Sequence, residues 1–142
     1  MLPSVINPQV YRCYLNAGID KMSIFERNKT VMFLYVELWK PKPEWDNLSR
    51  EQREEFLAML APGVHRMKGL KAELVGFAVC DEDTPMDAAY RYLAVWKMPN
   101  LGHVHMLEKA VQEEGWANYF DITNARGRVI PVKDFVVDMV KV

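Results

Sequence analysis

The sequence predicts an α+β protein whose strands and helices follow the order β-α-β-β-α-β. Residues 31–40, "VMFLYVELWK", form a run rich in β-branched and aromatic residues, which is typical of a strand. Residues 71–80 and 88–97 have a similar composition and flank a short acidic loop. Apolar residues recur at helical spacing before and after that pair of strands. This order favours an antiparallel sheet with helices on one face.

Length, composition and charge narrow the classes of function. A chain of 142 residues with 50% hydrophobic and 26% charged residues is typical of one globular domain. A net charge of −1 gives no large field to attract nucleic acid. No apolar run approaches the ~18 residues of a membrane span, and Cys13 and Cys80 belong to no Cys/His cluster. We therefore expect a cytoplasmic protein with no nucleic-acid partner, no membrane span and no cofactor.

The N-terminal segment differs from the rest of the chain. Residues 1–31 contain two prolines and no sustained period, which predicts an arm or extension. The domain is accordingly placed at residues 32–142, and Met32 is also a candidate start of the functional chain. The first strand ends at Pro41 and Pro43, because proline cannot donate to a strand ladder.

The first helix is predicted from its cap. The Ser49 hydroxyl can accept from the first turn while Gln52, three residues later, completes a capping box. Pro62 should kink this helix or divide it into two short ones, since its ring clashes with the carbonyl four residues back. Gly69 is a plausible terminator. The apolar residues at helical spacing are Phe56, Leu60, Val64 and Met67.

The second half of the chain completes the predicted order. Asn100 is a candidate N-cap for a helix that runs to about Glu114 and ends at Gly115. Residues 116–128, "WANYFDITNARGR", are predicted to form an aromatic and then polar connector. Residues 133–142, "KDFVVDMVKV", are predicted to form the last short strand.

Alternation divides each strand between two faces of the sheet. We expect the aliphatic sides to pack against the helices. The other face then collects aromatic rings and Glu37, and an exposed apolar surface of this kind usually marks an interface or a ligand site. We expect a second subunit to cover it, because two-fold homodimers are the commonest closed assemblies. The ring face comprises Phe33, Tyr35, Glu37 and Trp39 of the first strand and Tyr90, Tyr92, Ala94 and Trp96 of the third; the aliphatic face comprises Met32, Leu34, Val36 and Leu38 with Arg91, Leu93, Val95 and Lys97.

The element order and the ring-rich face resemble the ferredoxin-like dimeric α+β barrel superfamily. The segments "YVELWKPKPEW", "GFAVCDEDTP", "YLAVWKMP" and "GWANYFDITNARG" look like those of a small, uncharacterised bacterial family in it. The resemblance covers about residues 32–142. It implies a ferredoxin-like sheet and a homodimer, within a superfamily that includes cofactor-independent monooxygenases, isomerases and haem proteins. It implies no catalytic residue, because one fold hosts unrelated functions.

Glu37 is the candidate catalytic residue. Rings that exclude water raise the pKa of a carboxyl group, because desolvation penalises its charged form, and such a group can serve as an acid or base near neutral pH. The alternative is that Glu37 pairs with a cation such as Arg126 or faces solvent at the strand end. The candidate ligand-binding residues are Tyr35, Trp39, Tyr90, Tyr92, Trp96 and Arg126.

Arg126 suits either of two roles. The planar guanidinium of Arg126 suits an acidic ligand at the mouth of a barrel, whereas a structural clamp from Arg126 to Asp121 or another carboxylate is equally economical.

On a helix His103 and His105 point about 200° apart, so they cannot share a metal from one face. No metal site is expected.

Two classes of function remain. One is a homodimer that binds a small apolar or aromatic molecule in a ring-lined cavity, with proton transfer or cofactor-free oxygenation assisted by Glu37 if it is an enzyme. The other is a non-catalytic interaction module whose rings only join subunits. An enclosed, partly polar cavity that reaches Glu37 would favour the first class.

Overall fold

The computed structural model describes residues 32–141. These residues fall into two compact units, one of which is Met32–Arg128; the segment from Val129 onward belongs to the other. The predicted arm at residues 1–31 and Cys13 lie outside the described residues. Nothing of the candidate site is lost with them, since every residue proposed for it lies within Met32–Arg128.

The first unit is built on a four-stranded antiparallel sheet. Its strands are β1 (Phe33–Pro41), β2 (Glu73–Val79), β3 (Tyr92–Met98) and β4 (Phe120–Arg128), arranged in the order β2-β3-β1-β4. The central strand β1 pairs with both β3 and β4. The predicted α+β class is confirmed, and the order of elements resembles a ferredoxin-like fold.

Helices connect these strands, and all but the first, Pro43–Asp46, lie where the sequence predicts a helix. They are α1 (Pro43–Asp46), α2 (Arg50–Leu57), α3 (Leu60–Gly69) and α4 (Leu101–Glu113), with a 3₁₀ turn at Trp116–Asn118. The capping box of Ser49 and Gln52 is present, and the Asn100 side chain accepts from the amide of His103. Two short helices replace a continuous one around Pro62, as predicted. Gly115 follows α4 with φ 80°, a conformation that glycine adopts without steric penalty.

The predicted last strand is wrong. Residues 133–142 were expected to be extended, but α5 (Val132–Lys141) is helical, and the last strand is β4, in the segment predicted as a connector. The β-branched residues of α5 suggested a strand, yet its apolar side chains recur at helical spacing. Those residues are Val132, Phe135, Val136, Met139 and Val140. The polar sequence of β4 does not indicate a strand, because this strand forms through backbone pairing with β1.

The assignment of the two sheet faces to their covers is also wrong. The helices pack on the ring face, where Tyr35 and Trp96 are buried in one cluster with Met67 of α3 and Leu107 of α4. On the aliphatic face Leu34 is 42% exposed and Val36 is only partly buried. Large rings bury more apolar area than aliphatic side chains, so the helices stabilise the fold more when they cover the rings.

Within residues 32–141, no helix combines the length and the apolarity that a membrane crossing requires. The helices of the first unit carry charged outer faces instead, as the exposed ion pair between Arg50 and Glu54 on α2 illustrates.

Candidate functional site

A cavity of about 190 Å³ lies between the ring face of the sheet and the helices α3 and α4. Arg66 of α3 and Met106 of α4 line it and are exposed, so the cavity opens to solvent between these two helices. Most of the lining is apolar. The sheet contributes Glu37, Trp39, Phe77 and Trp96, and the rest comes from Met59, Leu60, Gly63, Val64, Arg66, Met67, Leu70, Met106, Leu107, Ala110, Val111, Glu114 and Trp116.

Glu37 lies at the centre of β1, where the strand is paired on both sides. Its cross-strand partners are Ala94 of β3 and Asn124 of β4. Directly opposed side chains on one sheet face have Cβ atoms about 5 Å apart, so the small methyl group of Ala94 leaves space beside the carboxyl group. Glu37 is 2% exposed. The strand therefore holds a carboxyl group in the interior, at the floor of the cavity.

The two carboxyl oxygens of Glu37 have different surroundings. The indole N–H of Trp96 donates to Oε2 at 3.3 Å. Oε1 is buried and has no hydrogen-bond partner among residues 32–141. A buried polar atom left without a partner costs free energy, so it needs an explanation such as a ligand or an ordered water.

Burial raises the pKa of Glu37 from its ordinary value of 4.5 to about 7. Desolvation is the main cause, and the negative charge of Glu108 raises the pKa further, whereas the hydrogen bond from Trp96 lowers it. Near neutral pH, both the acid and its carboxylate are therefore populated. The predicted shift of Glu37 has its expected physical cause.

Trp39, two residues after Glu37 on the same face of β1, provides a second orphaned polar atom. Its indole N–H is buried and has no acceptor in the described part of the chain. The Trp39 ring stacks on Trp116 at 6.2 Å between centroids and lies 6.1 Å from Phe77. We call Glu37 Oε1 and Trp39 Nε1 the open pair. Both atoms belong to residues that line the cavity. Trp39 Nε1 is a hydrogen-bond donor, and Glu37 Oε1 is an acceptor when the carboxyl group is ionised.

Charged groups at the opening of the cavity are paired with each other. Arg66 lies 3.6 Å from Glu114, which also accepts from the indole N–H of Trp116 at 3.1 Å. The Arg66 side chain is 65% exposed, so its charge remains in contact with water. The opening is thus polar while the interior is apolar.

Tyr35 lies beside this site but does not line the cavity. Its side chain is 1% exposed and its hydroxyl has no partner within the described residues. Burial raises the pKa of Tyr35, with further increases from Glu37 and Glu108 and an opposing effect of Arg126. Arg126 Nη1 donates to Glu108 Oε1 at 3.0 Å, which ties β4 to α4. Arg126 thus forms a structural clamp, although to Glu108 and not to Asp121.

The tyrosines of the third strand do not join Glu37. Tyr90 precedes β3, and its hydroxyl is hydrogen-bonded to that of Thr123, which pairs with Leu38 of the aliphatic face. Tyr92 faces Trp39 across the strands but lines an adjoining apolar groove of about 390 Å³, which shares Trp39 and Trp116 with the cavity and does not include Glu37. Of the predicted site residues, the structure brings together Glu37, Trp39 and Trp96.

The sequence analysis missed the rings that come from outside β1 and β3. Phe77 lies on β2 opposite Ala94, and Trp116 lies in the 3₁₀ turn after α4. Alternation along β2 could have placed Phe77, although the irregular register between Leu74 and Gly76 shifts the count by one. No local signal indicates the position of Trp116, because it depends on how the turn packs against β1.

Metal binding finds no support in the described residues, where no group of three or more His, Cys, Asp or Glu side chains is arranged to hold an ion. His103 lies near the start of α4 with a buried Nδ1 that has no partner among residues 32–141. His105 lies 3.5 Å from Glu108 on the exposed side of the helix.

The comparisons with known proteins identify a family without a described activity. Residues 32–142 match the "Family of unknown function (DUF6616)", and the chain belongs to that family. No curated protein and no solved structure matches the chain.

Proposed function

We propose that this family member binds a small apolar or aromatic molecule in the cavity above Glu37, and that Glu37 exchanges a proton or a hydrogen bond with it. The observation that carries the proposal is the open pair, a buried donor and acceptor beside an apolar cavity. Pockets for small molecules typically combine apolar walls with a few placed polar groups. The cavity forms within one subunit, between sheet and helices, and not between two sheets.

The surroundings of the Glu37 carboxyl group suit acid–base chemistry. Trp96 donates to Oε2, which leaves Oε1 as the oxygen without a hydrogen bond among the described residues. With a pKa of about 7, Glu37 can donate a proton as the acid or accept one as the carboxylate at neutral pH. Proton abstraction from a bound compound is the step that we would test first. Cofactor-free oxygenation is the second reaction to test, because it begins with such a step.

A purely structural role explains Glu37 poorly. A buried carboxyl group with one unpaired oxygen destabilises the fold, and a well-packed apolar residue at this position would be less costly. Residues whose pKa is shifted by their surroundings in this way cluster at functional sites. Ligand binding accounts for both the cavity and the carboxyl group.

A fragment screen tests the proposal. The indole N–H signals of Trp39 and Trp96 report directly on the cavity in protein NMR spectra, so apolar and aromatic fragments should shift these two signals before others. Glu37→Gln should alter the response, and Glu113→Gln, an exposed glutamate on α4, should not. If no fragment shifts either indole signal in the folded wild-type protein, the proposal fails.

We also propose that the aliphatic face of the sheet joins two copies of the chain. Leu34, Val36 and Leu38 line it on β1, and Leu93 and Val95 continue it on β3. Partly exposed aliphatic side chains on a central strand favour a sheet-to-sheet homodimer, the same assembly that an interaction module would need.

We further propose that the protein is located in the cytoplasm, since the free thiol of Cys80 suits a reducing compartment.

Sedimentation velocity tests the dimer. Val36→Lys places a charge at the centre of the aliphatic face and should give monomers at concentrations where the wild type is dimeric. Glu51→Lys, on the exposed side of α2, is the matched control. A wild-type chain that is monomeric at all concentrations would rule out this interface.

A further inference from the structure

We infer that the cavity takes an uncharged single-ring compound whose hydroxyl group pairs with both Glu37 and Trp39. This inference rests on the proposed function and names its ligand class. It follows from three properties of the cavity: its volume, the chemistry of the open pair, and the position of its charges.

The volume of the cavity matches about one ring. An apolar protein cavity of ~150 Å³ accommodates benzene, and the space above Glu37 is about 190 Å³. The difference leaves room for one or two additional non-hydrogen atoms. The rings of Trp39 and Trp116 stack on each other with 26° between their planes, and together they form one aromatic wall that suits the face of a flat ring.

The open pair defines the polar group of the ligand. Glu37 and Trp39 are two residues apart on one strand face, so their Cα atoms are separated by about 6.5 Å. A hydroxyl group can accept from the indole N–H of Trp39 and donate to Glu37 Oε1 at the same time. It also pairs with the protonated form of Glu37, by accepting from it, and therefore suits a carboxyl group that is populated in both forms.

The charges around the cavity disfavour an anion. Among its described lining residues the cation is Arg66, which is largely exposed and lies next to Glu114. A ligand carboxylate inside the cavity would thus be desolvated without a buried cation, and it would repel the ionised form of Glu37.

An organic cation is the strongest competitor. Aromatic rings and a buried carboxylate together form a favourable site for an ammonium group. However, an ammonium group has no acceptor to offer the indole N–H of Trp39, so half of the open pair would stay unsatisfied. The donor and acceptor together therefore favour a hydroxyl group.

Calorimetric titration of the full-length chain with four ring compounds tests the inference. The probes are 4-methylphenol, toluene, benzoate and benzylamine, which differ in polar group and charge but not greatly in size. We expect 4-methylphenol to bind at least about tenfold more tightly than toluene, because only the phenol satisfies the open pair. Benzoate and benzylamine should bind more weakly than 4-methylphenol.

Two variants locate the hydroxyl contact. Trp39→Phe removes the indole N–H but keeps a ring, and Glu37→Leu removes the carboxyl group but keeps an apolar side chain. Either variant should reduce the preference for 4-methylphenol over toluene severalfold while toluene still binds. The control is Trp45→Phe, a buried tryptophan that does not line this cavity.

The possible results separate the inference from the proposed function. If toluene binds as tightly as 4-methylphenol, or if benzoate or benzylamine binds most tightly, the inference is wrong but the cavity is a ligand site. A preference for 4-methylphenol that survives in both variants also overturns it. If none of the four probes binds to the folded wild-type protein, the proposed function fails as well.

Discussion

Both faces of the sheet are rich in apolar residues, but they differ in burial and in the kind of side chain that they contain. On the face under α3 and α4, Tyr35, Trp96 and Met98 are almost completely buried, and Glu37 is buried with them. On the opposite face, Leu34 and its neighbours are aliphatic. Within the described part of the chain, their side chains are partly exposed. The face that has been covered by the chain's own helices is also the face that contains a buried ionisable group and a cavity.

The buried polar residue, Glu37, lies on the face that the helices enclose. A sheet face that only needs to meet another surface can be purely aliphatic, whereas Glu37 is retained in an apolar interior at a cost in free energy. The tryptophans reduce that cost only in part, since Trp96 satisfies one of the two carboxyl oxygens. The two faces therefore predict opposite responses to substitution.

The largest expected effect is on stability. Trp96→Ala removes a large side chain that is 2% exposed, and such truncations cost about 3–5 kcal/mol. Val95→Ala, the neighbouring residue on the aliphatic face, should cost about 1 kcal/mol. Urea unfolding at a protein concentration where the chain is monomeric measures both. Equal losses would show that the two faces are buried to the same extent in solution, and would contradict the comparison.

The next effect depends on pH. In the unfolded chain Glu37 should titrate near its ordinary pKa of 4.5, and in the folded chain near 7. Between these values only the folded chain holds the proton, so the free energy of unfolding falls as the pH rises through this window. The loss attributable to Glu37 is about 3 kcal/mol, because one pKa unit corresponds to 1.36 kcal/mol.

Glu37→Gln isolates this contribution from those of the other carboxylates. The variant should gain stability relative to the wild type between pH 4.5 and pH 7 and show no further relative gain above that range. Thermal or urea unfolding at several pH values measures the difference, with Glu113→Gln as the exposed control. A difference between variant and wild type that does not change with pH would show that Glu37 is not desolvated.

The sequence predicted the local features of the fold more reliably than the long-range ones. Caps such as Ser49 with Gln52 depend on residues three positions apart, and the predicted cap was confirmed. Alternation also divided β1 and β3 correctly between two faces. Which face the helices cover could not be read from alternation, because both faces are apolar. The charged ends of the aliphatic list, Arg91 and Lys97, were the available signal, since a helix-covered face seldom contains two cations.

The candidate site shows the same limit. Glu37, Trp39 and Trp96 were predicted together because alternation along β1 and β3 places them on one face of the sheet. Arg126 was predicted to lie in a loop and either to hold an acidic ligand or to clamp a carboxylate; it lies on β4 and pairs with Glu108, a partner in a distant segment that no local pattern indicates. The sequence predicted three residues of the cavity and the helices that enclose it, but not that these helices cover the ring face.

The smallest expected effect links these two parts of the molecule. Glu108 on α4 raises the pKa of Glu37 through its negative charge, so Glu108→Gln should lower that pKa while burial still keeps it above 4.5. Carbon-detected NMR titration of the Glu37 side chain measures the change, and Glu113→Gln controls for a general change in surface charge. Because exposed ion pairs contribute at most about 1 kcal/mol, loss of the pair with Arg126 should change stability little. A fall in the Glu37 pKa without a matching loss of stability would show that electrostatic tuning of the enclosed face is separable from its packing; an unchanged pKa would assign the whole shift to desolvation.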